Sequence, residues 1–369
     1  MSSSLSSALS RRPLMEVFAQ IPDPRDPRGV RHSVATVLTL AQTAVLAGAR
    51  TLLAIAEWTQ DADRDLLSRI GISPDQALPS ESTLRRTLAL LDADDLDTRL
   101  AGWMATRVGH LAGRRVIAVD GKTMRGARTT AGAPHLVAAF DQSAGAVLGQ
   151  LAVASKSNEI PALRDLLTSM DITDAVITAD AMHCQRDTAS HITGRGGHYV
   201  LTVKANQPTL RAACKALPWT DVPAVTTNDN SHGRRVRRTI KAVKIPEWID
   251  FPGAAQIIQL RRTRTIKGRK TIEVVYAICS LDMIAAPPAT VATWIRGHWA
   301  VENALHWVRD VVFDEDRHQL RTGNGPQVMA TLRNTAISLL RLAGHTKIAT
   351  ALRHHGRSTS RPFELLLTA

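Results

Sequence analysis

Two short apolar runs in the middle of the chain each end in an aspartate: VIAV runs into Asp120 and AVITA runs into Asp180. Runs of four or five apolar residues are too short for buried helices and read as buried strands. Around them the pattern alternates between the two periods. RRVIAVD, HLVAAFD from His135 and AVLGQLAVA from Ala146 read as three successive strands, with a hairpin turn at residues 142–145. Residues 159–170 then follow a helical period that buries Ile160, Leu163, Leu167 and Met170. A strand at 175–179, a helix near 185–193 and the strand HYVLTVK from His198 complete the order β-β-β-α-β-α-β. Such alternation predicts an α/β layer architecture, with Asp120 ending the first strand and Asp180 following the fourth.

Composition narrows what these carboxylates serve. A chain of 369 residues with 44% hydrophobic content can bury a sizeable core, divided over two or three domains. The formal charge of +13 and a pI near 10.4 favour a polyanionic partner. A membrane is not indicated: the longest apolar stretch, residues 34–49, is interrupted by Thr36, Thr39, Gln42 and Thr43 and reads as a buried helix. The opening MSSSLSSALSRRPL has no continuous apolar segment of the secretory kind. Cys184, Cys214 and Cys279 are odd in number and far apart, which argues against a disulfide framework or a cysteine zinc site and fits a reducing cytoplasm.

The first hundred residues read as helical. The turn-rich PDPRDPRG precedes an apolar-periodic segment over residues 34–58, with Gly48 as its weak point. Ser80 to Thr83 offer caps for LRRTLALL, where Leu84, Leu88 and Leu91 share one face while Arg85 and Arg86 point elsewhere. This is either a solvated amphipathic helix or a helix-turn-helix-like DNA contact.

Residues 207–288 form a basic, strand-rich insertion. QIIQLRRTRTIKGRKTIEVVYAICS predicts a long hairpin turning near Lys267 and Gly268, with Ile272, Val274, Tyr276 and Ile278 on one face. Arg261, Arg262, Arg264, Lys267, Arg269 and Lys270 charge its arms, and Arg234, Arg235, Arg237, Arg238, Lys241 and Lys244 precede it. A sheet edge protected from aggregation and an arm contacting phosphates both fit this pattern; few aromatics interleave, so base stacking is not indicated here.

After the insertion, Pro287 and Pro288 start a helix, TVATWIRGHWAVENALHWVRDVVF. Val301, Leu305, Val308 and Val312 make an apolar stripe, and spacings of four and three put His298, Glu302, His306 and Arg309 on a polar one. Glu302 can therefore face a site while its helix packs on a sheet; a surface ion pair with Arg309 is the plainer alternative. Trp299 and Trp307 flank it and suit either core packing or a stacked base. The His298, Glu302 and His306 spacing is not that of zinc hydrolases, and three hard carboxylates suit Mg²⁺ or Mn²⁺. Asp310 and residues 314–316 are further acidic candidates for the third position.

These blocks together resemble a known family. The β-β-β-α-β-α-β order matches the ribonuclease H-like fold, which carries its first carboxylate on the first strand and its second at the end of the fourth. PDPRDPRG, IAEW, VIAVDGKTMRGA, KSNEIPAL, TADAMHCQ, VKANQP, RGHWAVENALHWVRDVVFDEDRHQLRTG and LRNTAISLLR resemble the DDE transposases of the ISAs-type insertion sequences, the group that includes the bacterial H-repeat-associated proteins. The resemblance implies a catalytic, metal-binding triad of Asp120, Asp180 and Glu302, separated by 60 and 122 residues. It implies two Mg²⁺ (or Mn²⁺) ions, hydrolytic release of a 3′ hydroxyl at the element's ends, and joining of that hydroxyl to target DNA. Double-stranded DNA is the implied partner, a homodimer the implied state at synapsis, and a bacterial cytoplasm with use at the nucleoid the implied location. A nuclease that cuts without joining, and an inactive DNA-binding relic, are the alternatives.

One departure stands out. Related transposases often carry Tyr-x-x-Arg-x-x-x-Glu-x6-Lys around the third carboxylate; counted from Glu302, this chain has Ile295, His298 and Arg309 at the other places. Phosphate contact is therefore expected of Lys122, Arg125, Lys204, Arg296, His298 and Arg309, besides Arg261, Arg262, Arg264 and Lys267. The expected division is an N-terminal helical, DNA-binding domain over 1–110, catalytic core over 111–206 and 289–345, the insertion over 207–288, and a tail over 346–369.

Overall fold

The computed structural model describes residues 13–108, 113–153, 159–231 and 233–368. The opening twelve residues, the boundary expected at 110/111, and residues 156–158 of the KSNEIPAL block lie outside the described residues. In chain order the helices α1 (Leu14–Ala19), α2 (Val34–Leu46), α3 (Leu52–Gln60), α4 (Arg64–Arg69), α5 (Glu81–Leu90) and α6 (Ala93–Val108) precede strands β1 (Val116–Thr123), β2 (His135–Asp141) and β3 (Ala146–Val153). Then come α7 (Glu159–Thr168), β4 (Val176–Ala179), α8 (Arg186–Gly194), β5 (His198–Val203) and α9 (Pro208–Ala216). Strands β6 (Val225–Ser231), β7 (Arg234–Lys244), β8 (Gln256–Ile266) and β9 (Arg269–Cys279) follow, and α10 (Pro288–Val301), α11 (Gly325–Leu342), α12 (Ile348–His355) and α13 (Ser360–Thr368) end the chain. The class is mixed α/β. By contact density the chain divides into two units, Met1–Leu111 with Gly121–Ala162 and Glu302–Ala369, and Ala112–Asp120 with Leu163–Val301.

In the first unit the apolar stretch expected over residues 34–58 is two helices. Gly48 adopts φ +98°, a left-handed conformation that a residue with a Cβ resists, and α2 ends just before it. The Thr51 side chain then accepts from the Ala54 N–H and starts α3 afresh. All residues from Val37 to Leu46 are buried, so α2 is a core helix without a polar face. Leu84, Leu88 and Leu91 are buried as their spacing predicts, and the Ser80 hydroxyl caps α5 at the Thr83 N–H.

Strands β2 and β3 form an antiparallel hairpin whose turn is closed by Gly145 at φ +67° and by the Asp141 carboxylate, which accepts from the Ser143 and Ala144 N–H groups. β3 packs on α6 and α11. Between them lies a buried polar knot: Asp97 accepts from Thr331 Oγ1 at 2.5 Å, Gln150 Nε2 at 3.2 Å and Gln327 Nε2 at 2.9 Å. Burial pushes the Asp97 carboxyl up to about 7, against the pull of those three donors.

The second unit is built on a sheet in the order β1-β4-β5-β9-β8-β7-β6. β1, β4 and β5 run parallel, and the remaining strands continue antiparallel from β5. Val116, Val176, Val200, Ile240, Ile258 and Ala277 form its core with Val291 and Trp294 of α10. The hairpin expected at Lys267 and Gly268 is a two-residue turn with both residues at positive φ, 45° and 78°, which matches the twist of the arms. Only the inner half of the expected apolar face is covered: Tyr276 and Ile278 are buried, whereas Ile272 is 49% exposed and Val274 43%. The outer half extends past the core that α10 covers.

Candidate active site

β1 and β4 are adjacent parallel strands paired Val116↔Val176, Ile117↔Ile177, Ala118↔Thr178 and Val119↔Ala179. Their apolar residues are all buried, which fixes the register, since a slip of one residue would turn every side chain to the opposite face. Continuing that register by one residue brings Asp120 beside Asp180, about 5 Å apart at strand spacing. Asp180 follows β4 directly, whereas β1 does not end at Asp120 as expected but runs on to Thr123; both aspartates lie just past the carboxyl end of the β1/β4 pairing, the end at which open α/β sheets carry their ligands. Asp180 is exposed and Asp120 half-buried.

The same edge collects further polar groups. β5 ends at Val203, followed by the exposed Lys204. The loop after it is tied to the loop after Asp180: Asn206 Nδ2 donates to the Ala181 carbonyl at 2.7 Å, and Gln207 Nε2 to the Cys184 carbonyl at 2.8 Å. From α10, His298 Nδ1 meets Thr178 Oγ1 at 3.2 Å, two residues before Asp180. Burial lowers the His298 pKa, with the Asp180 carboxylate pulling the other way and His183 and Lys204 adding to the fall. A neutral imidazole held by a hydroxyl is a positioned ring, not a cation. The helical run continues past Val301 as a π-turn over Glu302–His306 and another over Val308–Val312. Glu302, the first residue of that turn, is exposed.

The donor set fits a hard divalent cation. Asp120 and Asp180 offer anionic oxygen from neighbouring strands, the ligand type that Mg²⁺ and Mn²⁺ prefer. Among the described residues, no three histidine, cysteine, aspartate or glutamate side chains are gathered as a finished metal site.

A family model described as "Transposase DDE domain" matches residues 111–339, and a second, described as "DDE_Tnp_1-associated", matches residues 15–104. The chain belongs to the DDE transposase family. Enzymes of this family cut DNA and transfer its strands, and they generally use divalent metal ions. Among similar proteins, "Putative transposase YncI" of Escherichia coli is 33% identical over 90% of this chain and 88% of its own length. "H repeat-associated putative transposase YhhI" of Escherichia coli is 34% identical over 89% of this chain and 90% of its own. A cryo-EM structure of the piggyBac transposase synaptic complex with hairpin DNA aligns at 10% identity with a TM-score of 0.46, covering 97% of this chain and 80% of that one.

Other residues singled out in the transposase sequence fall into two groups. Arg125, Lys204, Arg261, Arg264, Lys267 and Arg296 are exposed. Arg262 is half-buried, pairs with Glu273 at 2.6 Å, and lies over Trp299 with 5.5 Å from guanidinium to ring centre. Trp299 and Trp307 are themselves 54% and 52% exposed, so neither is core.

Lys122 and Arg309 are internal instead. Lys122 is buried, with its ammonium on Asp310 and within 4.0 Å of Glu315 and 3.9 Å of Asp316. Arg309 is fully buried, and both its Nε and Nη2 donate to Glu315 at 2.8–3.0 Å. The polar stripe expected over His298, Glu302, His306 and Arg309 therefore does not hold to its end: the π-turns change the angular spacing after Glu302, and Arg309 turns inward to a carboxylate that is its partner in place of Glu302. Arg333 Nη1 completes the cluster at 2.9 Å from Glu315. Burial alone would raise the Glu315 carboxyl, but Arg309 and Arg333, aided by Lys122, hold it at about 2. The pattern reading missed this trio; an arginine within the apolar stripe of LRNTAISLLR was its one visible signal.

Proposed function

We propose that the transposase binds its metal, and cuts and joins element ends, at Asp120, Asp180 and Glu302, on a ribonuclease H-like core. The observation that supports this reading is the in-register pairing of β1 and β4 up to Val119↔Ala179; continued by one residue, that register would bring Asp120 and Asp180 side by side. Glu302 is favoured as third ligand by its exposure and by the state of its competitors. Glu315 has its oxygens filled by two arginines, and Asp310 accepts from Lys122. When bound, a pair of Mg²⁺ ions would supply charge stabilisation at the attacking and leaving oxygens of an in-line displacement.

The chain's own residues do the rest. Asp120, Asp180 and Glu302 hold the cations. His298, kept neutral and oriented by Thr178, lines the edge as a hydrogen-bonding group, and Lys204 offers a cation to the scissile phosphate. Arg125, Arg296 and the insertion residues Arg261, Arg262, Arg264 and Lys267 contact the backbone of double-stranded DNA without reading sequence. Lys122 and Arg309 belong to the protein's interior pairs and are withdrawn from that set. The helices before residue 110 read the element's ends through exposed side chains such as Arg85 and Arg86; two chains meet at synapsis, in the cytoplasm.

The test is a cleavage and strand-transfer assay on the DNA flanking the gene, with Mg²⁺ or Mn²⁺, using wild type and the Asp120→Asn, Asp180→Asn and Glu302→Gln proteins. Wild type is expected to cut and to join, and each variant to do neither while still binding DNA. Joining at the normal rate by Glu302→Gln would remove Glu302 from the site. Cutting without joining by wild type would make the protein a nuclease.

A further inference from the structure

We infer that the buried pair His135 and Glu159 is a positioning device for Asp120, through the glycine that follows it. His135 opens β2 and Glu159 opens α7; they are 4% and 3% exposed, and His135 Nε2 lies 2.8 Å from Glu159 Oε2. The other ring nitrogen, Nδ1, lies 2.9 Å from Thr123 Oγ1 on β1. The ring thus bridges the two partners, one nitrogen on the Glu159 carboxylate and the other on the threonine hydroxyl. One chain of hydrogen bonds thus ties β1, β2 and α7.

That chain passes directly beneath Gly121. A Cβ built there would stand 2.6 Å from Glu159 Cδ, Glu159 Oε1 and His135 Nε2 alike, distances that real Cβ atoms do not show. Gly121 has no positive φ to explain its identity, so close approach is the reason for it. The residue whose backbone is clamped in this way is covalently next to Asp120. A buried carboxylate and imidazole cost desolvation that an apolar pair of similar volume would avoid, so stability alone does not account for their use here. Outer groups that orient a metal ligand do account for it: they set where the carboxylate points. This part of β1 is held by polar bonds, whose directions are fixed.

This inference rests on Asp120 being a metal ligand, and its experiment separates the two. The full-length protein and its Thr123→Val, His135→Gln, Glu159→Gln and Glu159→Asp variants would be compared on end DNA for DNA Kd, single-turnover cleavage rate and the Mg²⁺ concentration giving half the maximal rate. His135→Gln and Glu159→Gln are expected to lose about 10–100-fold in cleavage rate and to need more Mg²⁺, with DNA Kd within about twofold of wild type. Glu159→Asp should recover part of the loss. Thr123→Val removes one hydroxyl and keeps the shape, so it decides the matter if the other variants do not fold; it should shift the Mg²⁺ midpoint in the same direction by less. Wild-type rates and an unchanged Mg²⁺ midpoint in folded Thr123→Val and Glu159→Gln would overturn the inference, as would a loss confined to DNA Kd. If cleavage survives Asp120→Asn, the metal-site reading fails first, and it is recognised by that variant alone.

Discussion

Two sets of carboxylates in this protein have opposite fates. Asp120, half-buried, and Asp180, exposed, come directly after the last paired residues of the neighbouring parallel strands β1 and β4. Glu315 is 3% exposed and is gripped by Arg309 and Arg333. A carboxylate whose lone pairs are taken by guanidinium N–H groups has nothing left for a metal. The contrast predicts that neutralising the two kinds of carboxylate damages different properties.

The largest effect should be on catalysis. Asp120→Asn or Asp180→Asn is expected to lower cleavage by roughly 1,000-fold or more, the kinetic equivalent of several kcal/mol of lost charge stabilisation. For Asp180→Asn, at an exposed position, unfolding in urea should change by no more than about 0.5 kcal/mol. Glu315→Gln should do the reverse: it strands two buried arginines and costs about 3–5 kcal/mol, while molecules that remain folded cleave at near-normal rate. A Glu315→Gln protein of normal stability and no activity would break the comparison and make Glu315 a site residue.

Acid and neutral pH should separate the buried carboxylates from each other. Glu315 is held at about 2, below its ordinary 4.5, so the folded state binds its proton less readily than the unfolded chain. Its contribution is complete above pH 4.5 and disappears as pH falls through 2. Asp97 is raised from 3.8 to about 7, so its fold prefers the protonated form. Its contribution is complete below pH 3.8 and is lost as pH rises through about 7. Unfolding free energies from urea titrations at pH 3 to 8 should therefore fall on both sides, with a span on the order of 1–3 kcal/mol. Glu315→Gln should flatten the acid limb and Asp97→Asn the neutral one; the opposite assignment would show that the two environments have been interchanged.

Where the sequence was informative, it was so because short-range physics decided the outcome. VIAV and AVITA are too apolar and too short to be anything but central strands, and their equal offset from Asp120 and Asp180 already aligned the carboxylates. The Lys267 and Gly268 turn and the Ser80 cap are likewise local. What stayed hidden depended on partners distant in the chain. Lys122 and Arg309 look like any cation near a nucleic-acid enzyme's site until Asp310 and Glu315 are found against them. His135 and Glu159 sit in blocks that mark the family, yet nothing in their spacing says that they meet beneath Gly121. A π-turn, which alters which side chains share a face, has no simple periodic signature.

The smallest expected effect extends the same contrast to the cations. Arg261, Arg264 and Lys267 are exposed on the outer hairpin, whereas Arg309 is fully buried and paired. Each exposed cation that touches a phosphate releases a counterion on binding, so each one removed should reduce the log–log salt slope by about 0.9. Replacing Arg261, Arg264 and Lys267 with alanine is expected to flatten the slope stepwise and to weaken scrambled and end DNA equally, since backbone contacts carry no sequence information. Arg309→Ala should leave the slope of the folded protein unchanged and lower its stability instead. If the triple variant keeps the wild-type slope, the exposed hairpin does not touch DNA, and its charge serves to keep an uncovered strand pair from aggregating. If Arg309→Ala flattens the slope with stability intact, the guanidinium leaves Glu315 when DNA binds, and the division between closed and open charges holds only for the free protein.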